Sequence, residues 1–180
     1  VTRDGLRIIK TEYKHRRKDK EVKIIPTFNE NVTMLYYYPH MKPDIVDSLV
    51  DAGYRGIVIV GTGLGHVNKE LYPALERARD KGVSVFMTLQ TIWGYAHMFV
   101  YDTGRDMMAL GVTPLGNMLP EVAWVKLGWA LGQTDDPDKI KAIMLRPIND
   151  DMTEREPYNG YLVYQGGVPE VEGFVRKFRK

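Results

Sequence analysis

Gly56-Ile57-Val58-Ile59-Val60 is an unbroken apolar run, with Arg55 before it and the glycine-rich Gly61-Thr62-Gly63-Leu64-Gly65 after it. A strand with one wet face alternates apolar and polar residues, whereas an unbroken run suits a strand covered on both faces, as in a parallel sheet. The flanking segments agree with that reading. Asn31 to Tyr38 is rich in β-branched and aromatic residues and stops at Pro39, which marks a strand. Pro43 suits the first turn of a helix, Ile45, Val46, Leu49 and Val50 fall at helical spacing, and Gly53 closes it. A second helix runs through Leu71, Leu75 and Ala78 and ends near Gly82, and Val83 to Met87 is the next buried strand.

Two strand–helix–strand units in succession predict right-handed crossovers and an open, mainly parallel sheet. The expected fold is therefore α/β: three layers, with helices on both faces of the sheet, flavodoxin-like in outline. Further helices are expected near Gly104–Leu110, over Pro120–Leu131 and over about Pro137–Leu145. In the second of these, Val122, Val125, Trp129 and Leu131 are apolar, while Glu121 and Lys126 break the pattern. After Arg146 a polar connection is expected, with Gly160–Gln165 as a final strand.

Composition removes several chemistries. At 180 residues, 44% hydrophobic and 27% charged, the chain is in the ordinary globular range. It has no cysteine, which excludes disulfide scaffolds, thiolate metal sites and thiol nucleophiles, and fits a reducing, cytoplasmic setting. Gly82 to Tyr101 holds no charged residue, but Ser84, Thr88, Gln90, Thr91 and His97 would each need a partner inside lipid. A buried strand and an uncharged loop are expected there, and no membrane association.

Charge is uneven. Residues 1–24 carry 9 basic and 4 acidic side chains, residues 171–180 carry 4 and 1, and the body between them is net −6. The sharpest basic cluster is Lys14-His15-Arg16-Arg17-Lys18-Asp19-Lys20. It reads as a solvated linker or as a strap for nucleic-acid phosphates, and no aromatic residues interleave with it as a stacking platform. The opening Val1–Ile9, with Asp4-Gly5 at its centre, reads as a hairpin and as the continuation of a longer protein.

Site motifs are incomplete. Gly61-Thr62-Gly63-Leu64-Gly65-His66 follows a strand and precedes a helix, but a dinucleotide fingerprint would place Gly at position 66 and an acid after the next strand, which ends in Thr88-Leu89-Gln90. None of His15, His40, His66 and His97 is paired at metal-ligand spacing, so no metal is expected. Asp102-Thr103-Gly104 is expected to cap a helix, with either side-chain oxygen accepting from the first turn. Trp93, Trp124 and Trp129 are expected as core or interface anchors.

Arg55–Val67, Asp51-Ala52-Gly53-Tyr54, Val100–Arg105 and Asn117–Leu127 together resemble the L-asparaginase family, in particular its archaeal branch of glutamyl-tRNA(Gln) amidotransferase D subunits. The resemblance covers about residues 31–145. It departs from the family pattern at Val60, often Glu in relatives, at Thr91, often Cys, at Tyr95-Ala96-His97, and at Asn117, where an acid is usual before the Met. What the resemblance implies is an end of a preceding domain and a linker at 1–30, an asparaginase-like C-terminal α/β domain at 31–146, and an extension at 147–180. Relatives release ammonia from the side-chain amide of asparagine or glutamine through a threonine nucleophile. The Thr-Gly-Gly-Thr and Gly-Thr-Asp-Thr segments that carry that chemistry in the family do not occur here, so no catalytic residue is expected in this chain and it is expected to be inactive alone.

The resemblance also implies partners. These are a second copy of the same polypeptide as a homodimer, the E subunit of the amidotransferase, and Glu-tRNA(Gln) reached through the complex. No cofactor is implied for this domain, while ATP and Mg are implied for the E subunit. The family's C-terminal domain reaches the neighbouring protomer's active site, and His40 and Tyr101 fall at such positions. For His40 the alternative is a turn residue after Pro39. Two other assignments stay open: a plain L-asparaginase C-terminal domain, and a non-catalytic flavodoxin-like interaction module.

Overall fold

The computed structural model describes residues 21–156. The chain divides into two compact units, Thr27–Tyr158 and a second composed of Val1–Pro26 with Asn159–Lys180. Of the second unit only residues 21–26 are described, as exposed irregular chain. The Asp4-Gly5 hairpin, the Lys14–Lys20 cluster, the basic residues Arg176–Lys180 and the Gly160–Gln165 strand all lie outside the described residues.

In the larger unit, strands β1 (Val32–Tyr36), β2 (Gly56–Gly61), β3 (Ser84–Leu89) and β4 (Thr113–Pro114) alternate with helices α1 (Asp44–Asp51), α2 (Tyr72–Asp80) and α3 (Asp102–Ala109). Helices α4 (Pro120–Gln133) and α5 (Pro137–Leu145) follow, and a 3-10 turn, Lys69–Leu71, leads into α2. All pairings are parallel, and the strands lie side by side in chain order, β1-β2-β3-β4. The doubly covered strand expected at 56–60 is β2, buried at every position.

Alternate side chains of the central strands enter two separate cores. Ile57, Ile59, Val85 and Met87 meet Val46 of α1, Leu71, Leu75 and Ala78 beside and within α2, and Met107 of α3. Val58 and Phe86 point the other way, with Val32, onto Ala123, Leu127 and Leu131 of α4 and Ile140 and Met144 of α5. Hence α1–α3 form one layer and α4–α5 the other, which is the three-layer α/β fold expected from sequence. Each fully buried aliphatic side chain in these cores contributes roughly 1.5–3 kcal/mol.

The differences from the sequence reading are local. β1 ends at Tyr36 rather than Tyr38, although Tyr37 N–H still donates to the Val60 carbonyl at 3.1 Å. Helix α3 starts two residues earlier than expected, at Asp102, with Tyr101 as its N-cap and no side-chain cap. Asp102 Oδ1 accepts from Thr103 N–H at 2.8 Å, and the Thr103 hydroxyl is engaged elsewhere. Nothing in the sequence marks strand β4, because two residues containing a proline give no periodic signal; proline is tolerated there because β4 is at the sheet edge.

Lys126 does not break the burial of α4. Its ammonium donates to Asp151 Oδ2 at 2.6 Å and to the Arg146 carbonyl at 2.8 Å, with little of either side chain exposed. On the same helix, Trp124 is partly exposed and its Nε1–H donates to the Val32 carbonyl at 3.2 Å, so it anchors α4 to β1.

Candidate functional site

Because all four described strands are parallel, their carboxyl ends lie along one edge, where open α/β sheets place their ligands. The strand order never reverses among the described strands, so no crevice of the dinucleotide-binding kind opens between crossovers on opposite faces. The segments leaving β1 and β3 at this edge carry exposed Tyr36, Tyr38, Ile92, Phe99, Val100 and Tyr101.

The edge is tied together by one side chain. Gln90, just beyond β3, donates from Nε2 to the Tyr37 carbonyl beyond β1 and to the Val60 carbonyl of β2 at 3.1 Å. Its own N–H donates to the Gly61 carbonyl at 3.1 Å.

After β2 the chain folds back on itself in a tight loop. Thr62 N–H donates to the His66 carbonyl at 3.1 Å, His66 N–H returns the bond to Thr62 at 3.0 Å, and the Thr62 hydroxyl adds a third at 3.2 Å. Gly65 has φ 97, with Met87 and Met98 side chains 3.0 and 3.1 Å from where a Cβ would be, so the turn requires glycine there. This explains the glycine-rich spacing as a turn that presents His66.

His66 is half-buried against the N-terminus of α3. Its Nδ1 is 3.2 Å from Thr103 Oγ1, and its ring lies 5.5 Å from that of Tyr101, tilted by 56°. Tyr72 of α2 donates its hydroxyl to the Thr103 carbonyl at 3.0 Å. His66 Nε2 is buried and has no hydrogen-bond partner among the described residues. Burial pushes the imidazole below its ordinary pKa, against the opposing charge of Asp102, so the ring is neutral near pH 7. Burial also raises the Tyr72 phenol, with Asp106 and Asp102 adding to the effect.

The structure thus brings Tyr101 against His66, but not His40. His40 occupies the turn between β1 and α1, exposed, with φ 65. In the sequence, His66 and Thr103 read only as parts of a turn and a cap. The available signal is their position: both follow strands at the carboxyl edge.

A second cluster lies further along the edge. His97 Nε2 is 2.6 Å from Glu156 Oε2, and its ring stacks on Tyr95 at 4.7 Å and meets Phe99 edge-on at 5.2 Å. The Tyr95 hydroxyl reaches the carbonyls of Thr153 and Glu154, at 3.3 and 3.1 Å. Asn117 Oδ1 accepts from Thr153 N–H at 2.8 Å. These contacts strap residues 147–156 over a cavity of about 350 Å³ lined mainly by Tyr95, Phe99, Pro114, Leu145, Pro147 and Met152. Among the described residues no group of three or more His, Asp or Glu could hold a metal ion, and no helix is long and apolar enough to cross a membrane.

The glutaminase/asparaginase C-terminal domain family matches residues 31–144, from β1 through α5. This chain belongs to that family. Curated relatives of the domain include the glutamyl-tRNA(Gln) amidotransferase D subunit of Methanothermobacter thermautotrophicus, 45% identical over 155 residues, which are 86% of this chain and 35% of that protein. The D subunit of Metallosphaera sedula is 47% identical over 140 residues, 78% of this chain and 31% of that protein. The chain therefore spans about a third of the length of the curated relatives it matches. Among solved structures, the thermostable L-asparaginase from Thermococcus kodakarensis superposes with a TM-score of 0.70 at 32% identity, covering 78% of this chain and 43% of that one. L-asparaginase I from Vibrio cholerae gives 0.68 at 26% identity, covering 75% and 41%. The asparaginase-family resemblance and the α/β fold expected from sequence both hold.

Proposed function

We propose that this chain is the C-terminal supporting domain of a protein that releases ammonia from a side-chain amide for the tRNA-dependent conversion of Glu-tRNA(Gln) to Gln-tRNA(Gln). The observation that carries this is the 45% identity to an amidotransferase D subunit across most of the chain. The threonine nucleophile and its helpers belong to polypeptide outside these 180 residues, and the chain by itself supplies no amide-cleaving set.

In this reading residues 31–146 are the asparaginase-like domain, preceded by an interdomain segment and followed by an extension. The carboxyl edge of the sheet faces the amide-cleaving site of a second copy, with Tyr101, His66 and, from the neighbouring turn, His40 at that contact. What supports it is Tyr101, packed against His66, at an edge rich in exposed aromatic residues. Asparagine or glutamine is the amide donor. The domain needs no cofactor of its own, and ATP and Mg serve the amidotransferase E subunit, which receives the ammonia. The assembly works in the cytoplasm. A plain L-asparaginase is the second reading, favoured by the superposition on the Thermococcus kodakarensis enzyme.

The test is complementation. The purified chain is mixed with the separately produced amide-cleaving domain of an archaeal D subunit, and ammonia release from asparagine and glutamine is measured. No release by the chain alone and release on mixing are expected. Turnover by the chain alone, or a mixture no better than the added domain, overturns the proposal. Adding the E subunit and Glu-tRNA(Gln) separates the two readings, since only the first yields Gln-tRNA(Gln).

A further inference from the structure

We propose that the outer edge of strand β1 is an interface with a second copy of this chain, the two β1 strands pairing antiparallel across a two-fold axis at Leu35 to make one continuous sheet. The contact runs along the flank of the sheet and does not depend on the reading of the carboxyl edge.

Among the described strands β1 lies at one end of the order and pairs with β2 alone. In a parallel pair, alternate residues bond the neighbouring strand and those between them turn their backbone groups outward. The Asn31 carbonyl accepts from Gly56 N–H, and Tyr37 N–H donates to the Val60 carbonyl, so Thr33 and Leu35 belong to the inward set. Val32, Met34 and Tyr36 therefore point outward. Val32 is already satisfied: its N–H donates to the Glu30 carbonyl at 2.8 Å and its carbonyl accepts from Trp124. The N–H and C=O groups of Met34 and Tyr36 have no hydrogen-bond partner among the described residues.

Natural sheet edges are blunted by lysine, proline, a bulge or extreme shortness. β4, at the other end of the order, is two residues long and contains Pro114. β1 has none of these devices. Asn31 to Tyr38 holds neither charge nor proline, and the ladder from Val32 to Tyr36 is unbroken.

The free groups match themselves. In an antiparallel pair, opposed residues at every second position exchange both N–H···O bonds. With Leu35 on the axis, Met34 of each copy opposes Tyr36 of the other, and every free group in both strands is used. A parallel pair in equal register cannot close, because each residue there bonds the two neighbours of the one opposite it, and those face away. A strand of ordinary length, about five or six residues, would bring more pairing groups than Met34–Tyr36 can meet.

The side chains agree. Leu35 packs with the α1–α3 core and Val32 with the α4–α5 core, so Met34 and Tyr36 lie on the α4 side of the strand. The two-fold places Leu35 beside its counterpart on one face, and Met34 beside the opposing Tyr36 on the other, a sulfur–aromatic contact. Met34 and Leu35 are half-buried and Tyr36 is 48% exposed, so each has surface left to cover. With no charge in the stretch, like charges do not meet across the axis.

The experiment is sedimentation equilibrium of the full chain at about 5–100 μM, with cross-linking to read the register. The chain has no cysteine, so Leu35→Cys supplies its one thiol. Opposed residues that exchange no hydrogen bonds have Cα atoms about 4.5 Å apart, within disulfide reach. The parent is expected to be a dimer, and Leu35→Cys to form a covalent dimer under mild oxidation. Thr33→Cys, opposed to Tyr37 rather than to itself, is expected not to. Met34→Pro is tolerated at an outward-facing edge position, removes one N–H from each copy, and should weaken the dimer about thirtyfold. A monomeric parent, equal cross-linking by Thr33→Cys and Leu35→Cys, or a Met34→Pro dissociation constant equal to the parent's overturns the proposal. If Leu35→Cys fails to fold, the parent and Met34→Pro decide the matter. No ammonia release is involved, so a failure here stands apart from a failure of the complementation assay.

Discussion

Lys126 and Asp151 form a buried ion pair, 2.6 Å apart, that clasps the chain after α5 against the outer layer of helices. The pair is completed by the Arg146 carbonyl on the lysine side and by the Ile148 N–H on the aspartate side at 2.8 Å. Replacing either member leaves the other buried without its counter-charge. Asp151→Asn is expected to lower unfolding stability by roughly 3 kcal/mol, measured by urea denaturation, with Lys126→Met plus Asp151→Leu recovering most of it.

The same pair sets an acid response. Burial pushes the Asp151 carboxyl up, but the hydrogen bonds from Lys126 and the Ile148 N–H outweigh it and hold the group below the ordinary carboxylate value. A depressed folded pKa contributes stability above the unfolded value, lost as pH falls through the folded one. Denaturation midpoints of the parent and Asp151→Asn should therefore differ at pH 7 and converge below about pH 4.

His66 gives a second, higher window. Its pKa is lowered by burial, so the folded state binds fewer protons than the unfolded state below the ordinary value of 6.5. Stability from this group is full above that value and declines as pH falls beneath it. His66→Gln is expected to flatten the stability profile between about pH 7 and pH 5, measured by thermal unfolding.

Gly104, in the first turn of α3, is set by contact rather than by helix preference. A Cβ there would lie 1.9 Å from the Met98 carbonyl oxygen, a backbone atom with nowhere to go. Alanine would favour the helix by about 1 kcal/mol. The clash exceeds that gain, and Gly104→Ala should be destabilising by roughly 1–3 kcal/mol and should loosen the His66–Thr103 contact.

Tyr95→Phe removes the hydroxyl that bonds the Thr153 and Glu154 carbonyls. The expected result is faster amide hydrogen exchange across 152–156 with little change in global stability, since one such bond contributes about 1 kcal/mol. Unchanged exchange in that segment would show that His97–Glu156 and Asn117–Thr153 suffice to hold it.

The layers are legible because burial writes itself into pattern. The unbroken Gly56–Val60 run, the spacing of Ile45 to Val50 and the proline at the start of α4 each carry a local physical signal. What is not legible depends on contacts distant in sequence. Lys126 looks like a polar interruption because its partner lies 25 positions away. Thr103 reads as a cap because a hydroxyl before a helix usually serves that end, yet His66, 37 positions earlier, takes it instead. Strand β4 needs only two residues and an edge. The family resemblance singles out Tyr101 only as a contact with a neighbouring active site, and neither spacing nor composition could pair it with His66.

Gln90 joins the exits of three strands through one carboxamide and its own backbone. Transplanting any one of those loops from another protein would sever a bond that belongs to the other two. The edge behaves as a single inherited part, and a graft that omits position 90 should arrive with its neighbours out of place.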